Sequence, residues 1–245
     1  MLLRAFLDIF FPPLCHACGT PVQGEGAHLC PSCREKALPV SSPLCTICGC
    51  PFAVEQGIDH PCGPCLVSPP PFVRARSAYC FEGPVRRLIH SFKYGGKVHL
   101  APTLGLLTAV SLTGFAKEAA PHFIVPVPLH DRRLRERGFN QSQRLALFLS
   151  RTWVVPLSVD NLRRARWTDP QVGLSAEERK RNVLGAFSVA KPEIFEKKRL
   201  LLVDDVFTSG STVTECSRTL KQAGAEQVWV LTVARALAAA PDVIF

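Results

Sequence analysis

The chain has 245 residues, of which 47% are hydrophobic and 20% are charged. These proportions exclude an intrinsically disordered chain and allow one or two globular domains. The formal net charge is +9, but residues 1–70 contain 3 Lys/Arg and 5 Asp/Glu, whereas residues 71–245 contain 26 and 15. The basic excess therefore belongs to the C-terminal part, where it favours an anionic partner or serves general solubility.

The amino-terminal segment MLLRAFLDIFF has hydrophobic residues at positions 2, 3, 6, 7, 10 and 11. This spacing predicts a short amphipathic helix that packs on the rest of the protein. The segment is too short to span a bilayer, and no small-residue cleavage site follows it. We therefore expect neither a transmembrane segment nor a secretory signal. The expected location is cytoplasmic, with peripheral attachment at the inner membrane as the alternative.

Nine of the eleven cysteines lie between positions 15 and 65, and eight of them form four Cys-x-x-Cys pairs. The paired residues are Cys15, Cys18, Cys30, Cys33, Cys45, Cys48, Cys62 and Cys65. Two such pairs place four sulfurs around one point, which is the ligand set of a closed, structural zinc site. We predict two zinc ribbons that hold structural Zn²⁺. Sequential pairing, interleaved pairing and a degenerate second site all remain open, while redox pairs and disulfides fit this pattern less well.

A proline triplet at 69–71 follows the cysteine-rich head. Because consecutive prolines are stiff and cannot continue a helix, we place the domain boundary there. Residues 1–70 then form the head, and residues 71–245 form the second domain. That domain begins with a predicted strand and a helix over Val85–Lys93.

Four arginines follow a predicted strand over Phe123–Leu129 and precede a helix predicted from about Asn140 to Ser150. They are Arg132, Arg133, Arg135 and Arg137, and we predict that they lie on a loop. Guanidinium groups beside a helix amino terminus suit a pyrophosphate, and the alternative is a solvated charge run. The position after a strand favours the pyrophosphate, because ligands of open α/β sheets gather at the carboxyl ends of strands.

The segment 160–187 is basic and begins as a loop. Four of its residues are candidates for contact with a nucleic acid: Arg163, Arg164, Arg166 and Trp167. Arginines would bind the phosphate backbone, and Trp167 would stack on a base. Ser175 has the position of an amino-terminal cap for a following short helix. A folded, solvated segment is the alternative interpretation.

The sequence LLLVDDVFTSGSTV contains the strongest functional signal in the chain. Arg199–Phe207 has the Val/Leu content of a central parallel strand, a helix is predicted over Thr212–Ala223, and another strand follows at 227–235. A polar loop joins the first strand to the helix, and its residues are Thr208, Ser209, Gly210, Ser211 and Thr212. Their backbone N–H groups and hydroxyls at a helix amino terminus suit a phosphate.

Asp204 and Asp205 directly precede this loop, although carboxylates repel a phosphate. Ionised carboxylates only accept hydrogen bonds, so we predict that the two residues hold the vicinal hydroxyls of a ribose. A ribose 5-phosphate in this position, with a pyrophosphate at the arginines, describes phosphoribosyl pyrophosphate bound with Mg²⁺.

The motif VDDVFTSGST at 203–212 resembles the ligand loop of type I phosphoribosyltransferases. Together with the paired cysteines, the segments FKYGGK at 92–97, PVPLHDRRLRERGFNQSQ at 126–143 and TDPQVGLSAEERKRNVLGAF at 168–187 resemble the ComF family. The resemblance implies an α/β fold with a Rossmann-like parallel sheet behind a small zinc-ribbon head. It also implies ribose contacts by the two aspartates, phosphate contacts by Thr208–Thr212, and a role in natural competence, in which single-stranded DNA is taken up. The segment 160–187 has the position of the flap that shields the site in such transferases.

Two functions remain open at this point. The first is a protein that binds phosphoribosyl pyrophosphate and single-stranded DNA and works with the DNA-uptake machinery. The second is an active phosphoribosyltransferase in nucleotide metabolism, whose acceptor would be a nucleobase or an amine. The sequence contains no clear general base, so we assign no catalytic residue.

Overall fold

The structure, a computed structural model, describes residues 13–22, 28–54, 56–168 and 175–237. The amphipathic helix predicted at the amino terminus lies outside these ranges. The helices are α1 (Pro31–Glu35), α2 (Gly63–Val67), α3 (Gly83–Tyr94), α4 (Ala101–Ala119), α5 (Asp131–Arg137), α6 (Gln141–Trp153), α7 (Ala176–Val183) and α8 (Ser211–Gln222), with 3-10 turns at Val98–Leu100 and Pro192–Ile194. The strands are β1 (Arg74–Cys80), β2 (Phe123–Pro126), β3 (Leu162–Arg164), β4 (Phe187–Val189), β5 (Arg199–Phe207) and β6 (Gln227–Arg235).

The main sheet contains four parallel strands in the order β1-β6-β5-β2, and β3 pairs with β4 in a separate antiparallel sheet. The parallel α/β fold predicted from the sequence is confirmed. β5 lies in the interior of the sheet, between β6 and β2. Because all four strands run in the same direction, the carboxyl ends of β2 and β5 meet at one edge, where ligands of such sheets bind.

β5 is buried on both faces of the sheet. Leu201 and Val203 belong to the hydrophobic core that contains residues of α4 and α6, whereas Leu200 and Leu202 belong to the core that contains residues of α8. All four side chains are fully buried. This alternation follows from the two-residue period of a strand, and it explains why β5 reads as a continuous apolar run.

The cysteine-rich head packs directly against the sheet. Its segment 38–40 pairs with the edge strand β1, since the Val40 N–H donates to the Ala78 carbonyl (3.1 Å) and the Cys80 N–H donates to the Leu38 carbonyl (2.8 Å). Cysteines of the first ribbon join the core on one face of the sheet, and cysteines of the second ribbon join the core on the other. The head therefore shares both hydrophobic cores, while a boundary at the proline triplet stays a prediction.

Most predicted elements lie close to their observed bounds. β5 and β6 have the predicted residues, and α3 and α8 begin and end within two residues of the predicted positions. β2 is shorter than predicted and ends at Pro126. The cap predicted at Ser175 is confirmed, because its hydroxyl accepts from the Glu178 N–H and the Glu178 carboxylate accepts from the Ser175 N–H.

The arginine-rich segment differs from its prediction, because it folds as the short helix α5 rather than as a loop. The Nδ1 atom of His130 accepts a hydrogen bond from the Arg132 N–H (3.2 Å) at its start. Arg132 then forms an ion pair with Glu136 one turn later (3.1 Å), and Gly138 ends the helix at a φ of +78°. The loop prediction is wrong because it weighed the positive charge and overlooked these local capping and pairing signals.

The stretch Val98–Ala119 is long and apolar enough to cross a membrane by composition, and it alone passes that test among the described residues. Half of it is buried inside the protein, where α4 packs against α6 and β1. These contacts explain why α4 is apolar, since a helix that packs in a protein core has this composition.

α4 approaches α6 most closely at Gly105. A Cβ atom added there would lie 2.4 Å from Cδ1 and 2.6 Å from Cγ of Phe148 in α6. These atoms are near the root of the ring, so a methyl group would force the ring or the helix to shift. The glycine is therefore part of the helix packing.

Replacing Gly105 with alanine is expected to lower the free energy of unfolding by about 1–3 kcal/mol, because the overpacked side chain outweighs the gain in helix propensity. Gly114 is the matched control, since it lies in the same helix with open space around an added Cβ. Gly114→Ala should raise the free energy of unfolding by up to about 1 kcal/mol. Urea unfolding followed by circular dichroism compares the two variants, and equal effects would contradict the packing role.

Candidate functional site

The carboxyl ends of β2 and β5 and the helices that follow them surround a cavity of about 770 Å³. α8 begins after β5, and α5 and α6 follow β2. Both predicted aspartates line the cavity, as do four of the five residues of the polar loop: Thr208, Gly210, Ser211 and Thr212. The structure therefore brings together the acidic pair and the loop, which the sequence places in succession.

The polar loop has a conformation that requires glycine at its centre. Gly210 has a φ of +79°, and a Cβ atom there would lie 2.6 Å from Cζ of Phe207. The Ser209 hydroxyl lies 2.9 Å from the Ser211 hydroxyl and accepts from the Ser211 N–H at 3.4 Å. The N-cap residue of the 12-residue helix α8 is Gly210, which has no side chain to cap the helix. The start of α8 lines the cavity, and the positive end of a helix dipole favours an anion there.

The two aspartates at the end of β5 are nearly buried, with exposed fractions of 9% for Asp204 and 3% for Asp205. Oδ1 of Asp204 accepts hydrogen bonds from the Ser142 hydroxyl (2.7 Å) and from the Asp205 N–H (2.9 Å). Oδ1 of Asp205 forms an ion pair with Nζ of Lys93 at 2.9 Å. The other oxygen, Oδ2 of Asp205, is buried and accepts no hydrogen bond within the described part of the chain. It is therefore a ready acceptor for a ligand hydroxyl.

Burial and the adjacent Asp205 carboxylate raise the pKa of Asp204 to about 7, although Lys93 and the Ser142 hydroxyl oppose the shift. Burial also acts to lower the pKa of Lys93, but Asp205 and Asp204 outweigh it and the pKa of Lys93 lies above its usual value. Two neighbouring carboxylates in a poorly solvated place repel each other, so one buried cation stabilises the pair.

The cavity is also lined by five cationic side chains, here called the cationic wall. They are Lys93, Arg133, Arg137, Arg164 and Arg179, of which Lys93 is paired with Asp205. Arg137 donates to the Gln141 side chain (2.7 Å) and lies over the Tyr94 ring (5.3 Å). Burial and the neighbouring Arg133 lower the pKa of Arg164, which packs on the Phe187 ring. With three carboxylates against five cations, the cavity favours a ligand of net negative charge.

The predicted arginine cluster divides into two pairs. Arg133 and Arg137 line the cavity, whereas Arg132 and Arg135 are exposed and do not. Arg132 instead lies over the Trp167 ring at 4.6 Å, and Arg133 approaches the same ring at 5.5 Å. α5 is thereby joined to the base of the segment 160–187.

The residues predicted to contact a nucleic acid also separate. Arg163 and Arg166 are exposed, and Arg166 donates to the backbone carbonyls of Asn182 and Leu184. Arg164 lies in the cavity wall, and Trp167 is half-buried against the arginines of α5. The nucleic-acid assignment of these residues stays a prediction, and two of them, Arg163 and Arg166, lie on an outer surface.

Several cavity residues were not assigned to the cavity from the sequence, among them Glu136, Ser142, Arg164 and Arg179. Ser142 follows Asn140, whose side chain caps α6 and donates to the Val127 carbonyl (3.1 Å). This cap turns the start of α6 toward β5. The signal in the sequence is the cap residue in GFNQS, because the first turn of a capped helix after a strand faces the same edge of the sheet.

The eight paired cysteines form two separate clusters, each with four ligand atoms within 4.8 Å of one another. One cluster contains Cys15, Cys18, Cys30 and Cys33, and the other contains Cys45, Cys48, Cys62 and Cys65. The sulfurs of Cys18 and Cys30 are 3.7 Å apart, and those of Cys48 and Cys62 are 3.8 Å apart. Zinc–sulfur bonds of about 2.3 Å place the sulfurs of a tetrahedral site about 3.8 Å apart. The pairing is sequential, and both sets fit structural Zn²⁺.

Comparison with known families matches residues 6–66 to the family described as "Double zinc ribbon domain" and residues 115–244 to the "Phosphoribosyl transferase domain". The chain is 35% identical to "DNA utilization protein YhgH" of Escherichia coli K12, over 90% of this chain and 96% of that protein. It is 34% identical to "Competence protein F" of Haemophilus influenzae, over 85% of this chain and 90% of that protein. The chain belongs to the ComF family.

A more distant ComF-family relative, "Competence protein ComFC" of Bacillus subtilis, is 26% identical over 80% of this chain and 79% of that protein. The ComF-family protein described here thus joins a double zinc ribbon to a phosphoribosyltransferase-type α/β domain. The predicted fold class and family resemblance are confirmed.

The pH dependence of stability should reveal the buried carboxyl group of Asp204. A folded-state pKa of about 7, above the unfolded value of about 3.9, means that protonation stabilises the fold below the unfolded pKa. That contribution is lost as the pH rises through the folded pKa. Asp204→Asn has no titrating group at this position, so its stability does not show this loss. The unfolding free energy of the variant minus that of the unaltered ComF-family protein should therefore rise by about 2–3 kcal/mol from pH 5 to pH 8. Urea unfolding at the two pH values measures this difference.

Asp59→Asn is the control for this experiment. A hydrogen bond from the Leu44 N–H lowers the pKa of the exposed Asp59 carboxyl, so that group stays ionised throughout the range. The control variant should therefore follow the pH dependence of the unaltered chain. Parallel curves for all three proteins would show that Asp204 is not a titrating buried group.

Proposed function

We propose that this ComF-family protein binds phosphoribosyl pyrophosphate in the cavity and acts on or with single-stranded DNA during DNA uptake. The observation that supports this most directly is the arrangement at the end of β5. Buried carboxylate oxygens, the amino terminus of α8 and several arginines line one cavity. A sugar with hydroxyls, a terminal phosphate and a second phosphate group is the ligand whose parts match all three.

In this proposal the 5′-phosphate occupies the loop Thr208–Thr212, where the N–H groups at the start of α8 donate to it. The ribose hydroxyls donate to the remaining oxygens of Asp204 and Asp205. Oδ2 of Asp205 is the best candidate, because it is buried and its partner oxygen is already held by Lys93. The ion pair holds one oxygen of this carboxylate, and the ligand hydroxyl would satisfy the other.

The pyrophosphate group would lie against the cationic wall. Arg133 and Arg137 come from α5 and Arg164 comes from β3, so two separate elements contribute arginines to the cavity lining. Mg²⁺ would accompany the phosphates and offset their charge, as it does in other phosphate sites with few protein carboxylates. One oxygen of each aspartate already has a partner, because Oδ1 of Asp204 and Oδ1 of Asp205 accept from protein groups. The ligand phosphates, rather than the protein, would therefore supply most of the oxygen ligands of Mg²⁺.

The proposed DNA function is supported by the names of the relatives, which refer to DNA utilization and competence. It is also supported by the excess of positive charge in residues 71–245. Arg163 and Arg166 are exposed, and they lie on the same segment as the cavity residue Arg164. Reduced, metal-binding cysteines are typical of the cytoplasm, so we propose that the protein meets the incoming strand there.

Enzymatic turnover is the second candidate function. The arginines that would bind a pyrophosphate would also stabilise it as a leaving group. In such a reaction the bond between C1 of the ribose and the pyrophosphate oxygen breaks, and a nucleophile takes its place on C1. A pyrophosphate-release assay with nucleobases and amines distinguishes binding alone from transfer.

Titration calorimetry with phosphoribosyl pyrophosphate and Mg²⁺ tests the ligand. The double variant Asp204→Asn, Asp205→Asn should lose measurable binding, because amides cannot replace two carboxylate acceptors, while its circular dichroism stays unchanged. Asp160→Asn is the control, since Asp160 is exposed outside the cavity with a φ of +65° that asparagine readily adopts. Unchanged affinity in the double variant would refute the assignment.

Fluorescence anisotropy with labelled single-stranded DNA at several salt concentrations tests the DNA function. Arg163→Gln with Arg166→Gln should weaken binding for all base sequences and reduce the salt slope by about 1.4, as two phosphate contacts are lost. Arg144→Gln with Arg151→Gln removes two exposed guanidinium groups from α6 and serves as the control. If both pairs change the slope equally, the surface that contains Arg163 and Arg166 has no special role.

A further inference from the structure

Arg235, at the carboxyl end of β6, connects the second zinc ribbon to the neighbouring strand. Its side chain is buried, with 7% exposed. Nη1 donates to the Cys48 carbonyl at 2.6 Å, and Nη2 lies 3.7 Å from the Cys48 sulfur. On its other side, the guanidinium lies 4.2 Å from the centroid of the Phe207 ring. One arginine thus contacts a cysteine of the second cluster and the last residue of β5.

Phe207 in turn packs against the polar loop at Gly210. Its ring is 5% exposed and lies close enough to Gly210 that a Cβ atom on Gly210 would be 2.6 Å and 2.7 Å from two ring carbons. An edge contact with Phe72 limits the ring from a further direction. Movement of this ring would therefore displace the backbone of the polar loop that lines the cavity.

Residues 45–50, here called the cysteine knuckle, contact Arg235 and are also bonded to the sheet. The Ala75 N–H donates to the Ile47 carbonyl at 2.7 Å, and a Cβ atom on Gly49 would lie 2.6 Å from the Ala75 carbonyl oxygen. Within the cluster, the Cys48 and Cys62 N–H groups donate to the Cys45 sulfur. A metal ion held by these four cysteines would keep the knuckle closed, since each sulfur would be bonded to one centre.

We propose that the second zinc site positions the polar loop, which the proposed function assigns to the phosphate, through Arg235 and Phe207. Four thiolates and Zn²⁺ carry a net charge of about −2, so they attract the guanidinium and hold its plane against the Phe207 ring. Arg235 is a positioning residue in this scheme, because it acts on the ligand through Phe207 and Gly210.

The first zinc site has a different set of contacts. It meets α3 and α4, where Arg87 donates to the Ala17 carbonyl (3.1 Å) and His16 lies 3.0 Å from the Thr103 hydroxyl. Among the described contacts of these residues, none reaches Phe207 or Gly210. The two ribbons therefore differ in role: the second is joined to the loop and the first supports the opposite core.

Hydrogen exchange followed by mass spectrometry tests the coupling in the zinc-loaded, ligand-free protein. In Arg235→Met, the amides of residues 208–216 should exchange about tenfold faster, because the ring loses its cationic partner. Metal analysis should still find two zinc ions per chain. If the exchange of these amides is unchanged in Arg235→Met, the coupling is refuted.

Arg76→Met is the matched control. Arg76 donates to the Thr46 carbonyl of the same knuckle at 3.2 Å, but its described contacts do not include Phe207. It should leave the loop amides within about twofold of the unaltered protein. Equal acceleration in both variants would mean that any loosening of the head disturbs the loop, which would overturn the specific path.

Phe207→Leu provides a second test that leaves Arg235 in place. The loop amides should again exchange about tenfold faster while the amides of residues 45–50 remain protected. Loss of protection in the knuckle as well would contradict the proposed direction. Because exchange needs no ligand, these results stand even if the chain fails to bind phosphoribosyl pyrophosphate. Where binding is found, Arg235→Met should weaken it about tenfold and Arg76→Met should not.

Discussion

The ion pair between Lys93 and Asp205 is the interaction on which the cavity depends. β5 ends in two adjacent carboxylates that are almost completely removed from water, and two such groups cannot both be charged without a nearby cation. The cation comes from α3, a helix that follows the far edge strand β1. The ion pair thus connects the helix that follows the first strand in the sheet order, β1, to the third strand, β5. This connection lies where the ligand is proposed to bind. A cavity of this charge pattern exists only if α3 is packed correctly.

The zinc-ribbon head is part of the same construction. The head is packed on the sheet and not merely tethered to it by a linker, because its cysteines contribute to the hydrophobic cores on both faces. A ribbon of this size buries too little apolar surface to be stable alone, so metal binding and docking on the sheet supplement each other. The chain combines both parts, as the matches along residues 6–66 and 115–244 indicate.

Much of the fold and part of the site follow from the sequence. β5, β6 and α8 were predictable because their patterns are local: a Val/Leu run, a polar loop and an apolar stripe that stops at a glycine. The eight cysteine ligands were predictable for the same reason, but their division into two sets of four was not, because the spacing fits both sequential and interleaved pairing. The pairing of Lys93 with Asp205, 112 positions apart, and the turn of Arg164 into the cavity depend on tertiary packing. α5 shows the reverse error, in which a charge pattern concealed local helix signals.

The segment 38–40 has a consequence for assembly. An open parallel sheet exposes unpaired N–H and C=O groups along its outer strands, and these groups readily recruit a strand from another molecule. Here the β1 border is occupied by residues of the head, and on the β2 border the Ile124 N–H donates to the Pro156 carbonyl while the Ser158 N–H donates to Ile124. Both borders are thus closed over much of their length by the chain itself. Association with other macromolecules would then use side-chain surfaces, and extension of the sheet from one copy to the next would be blocked.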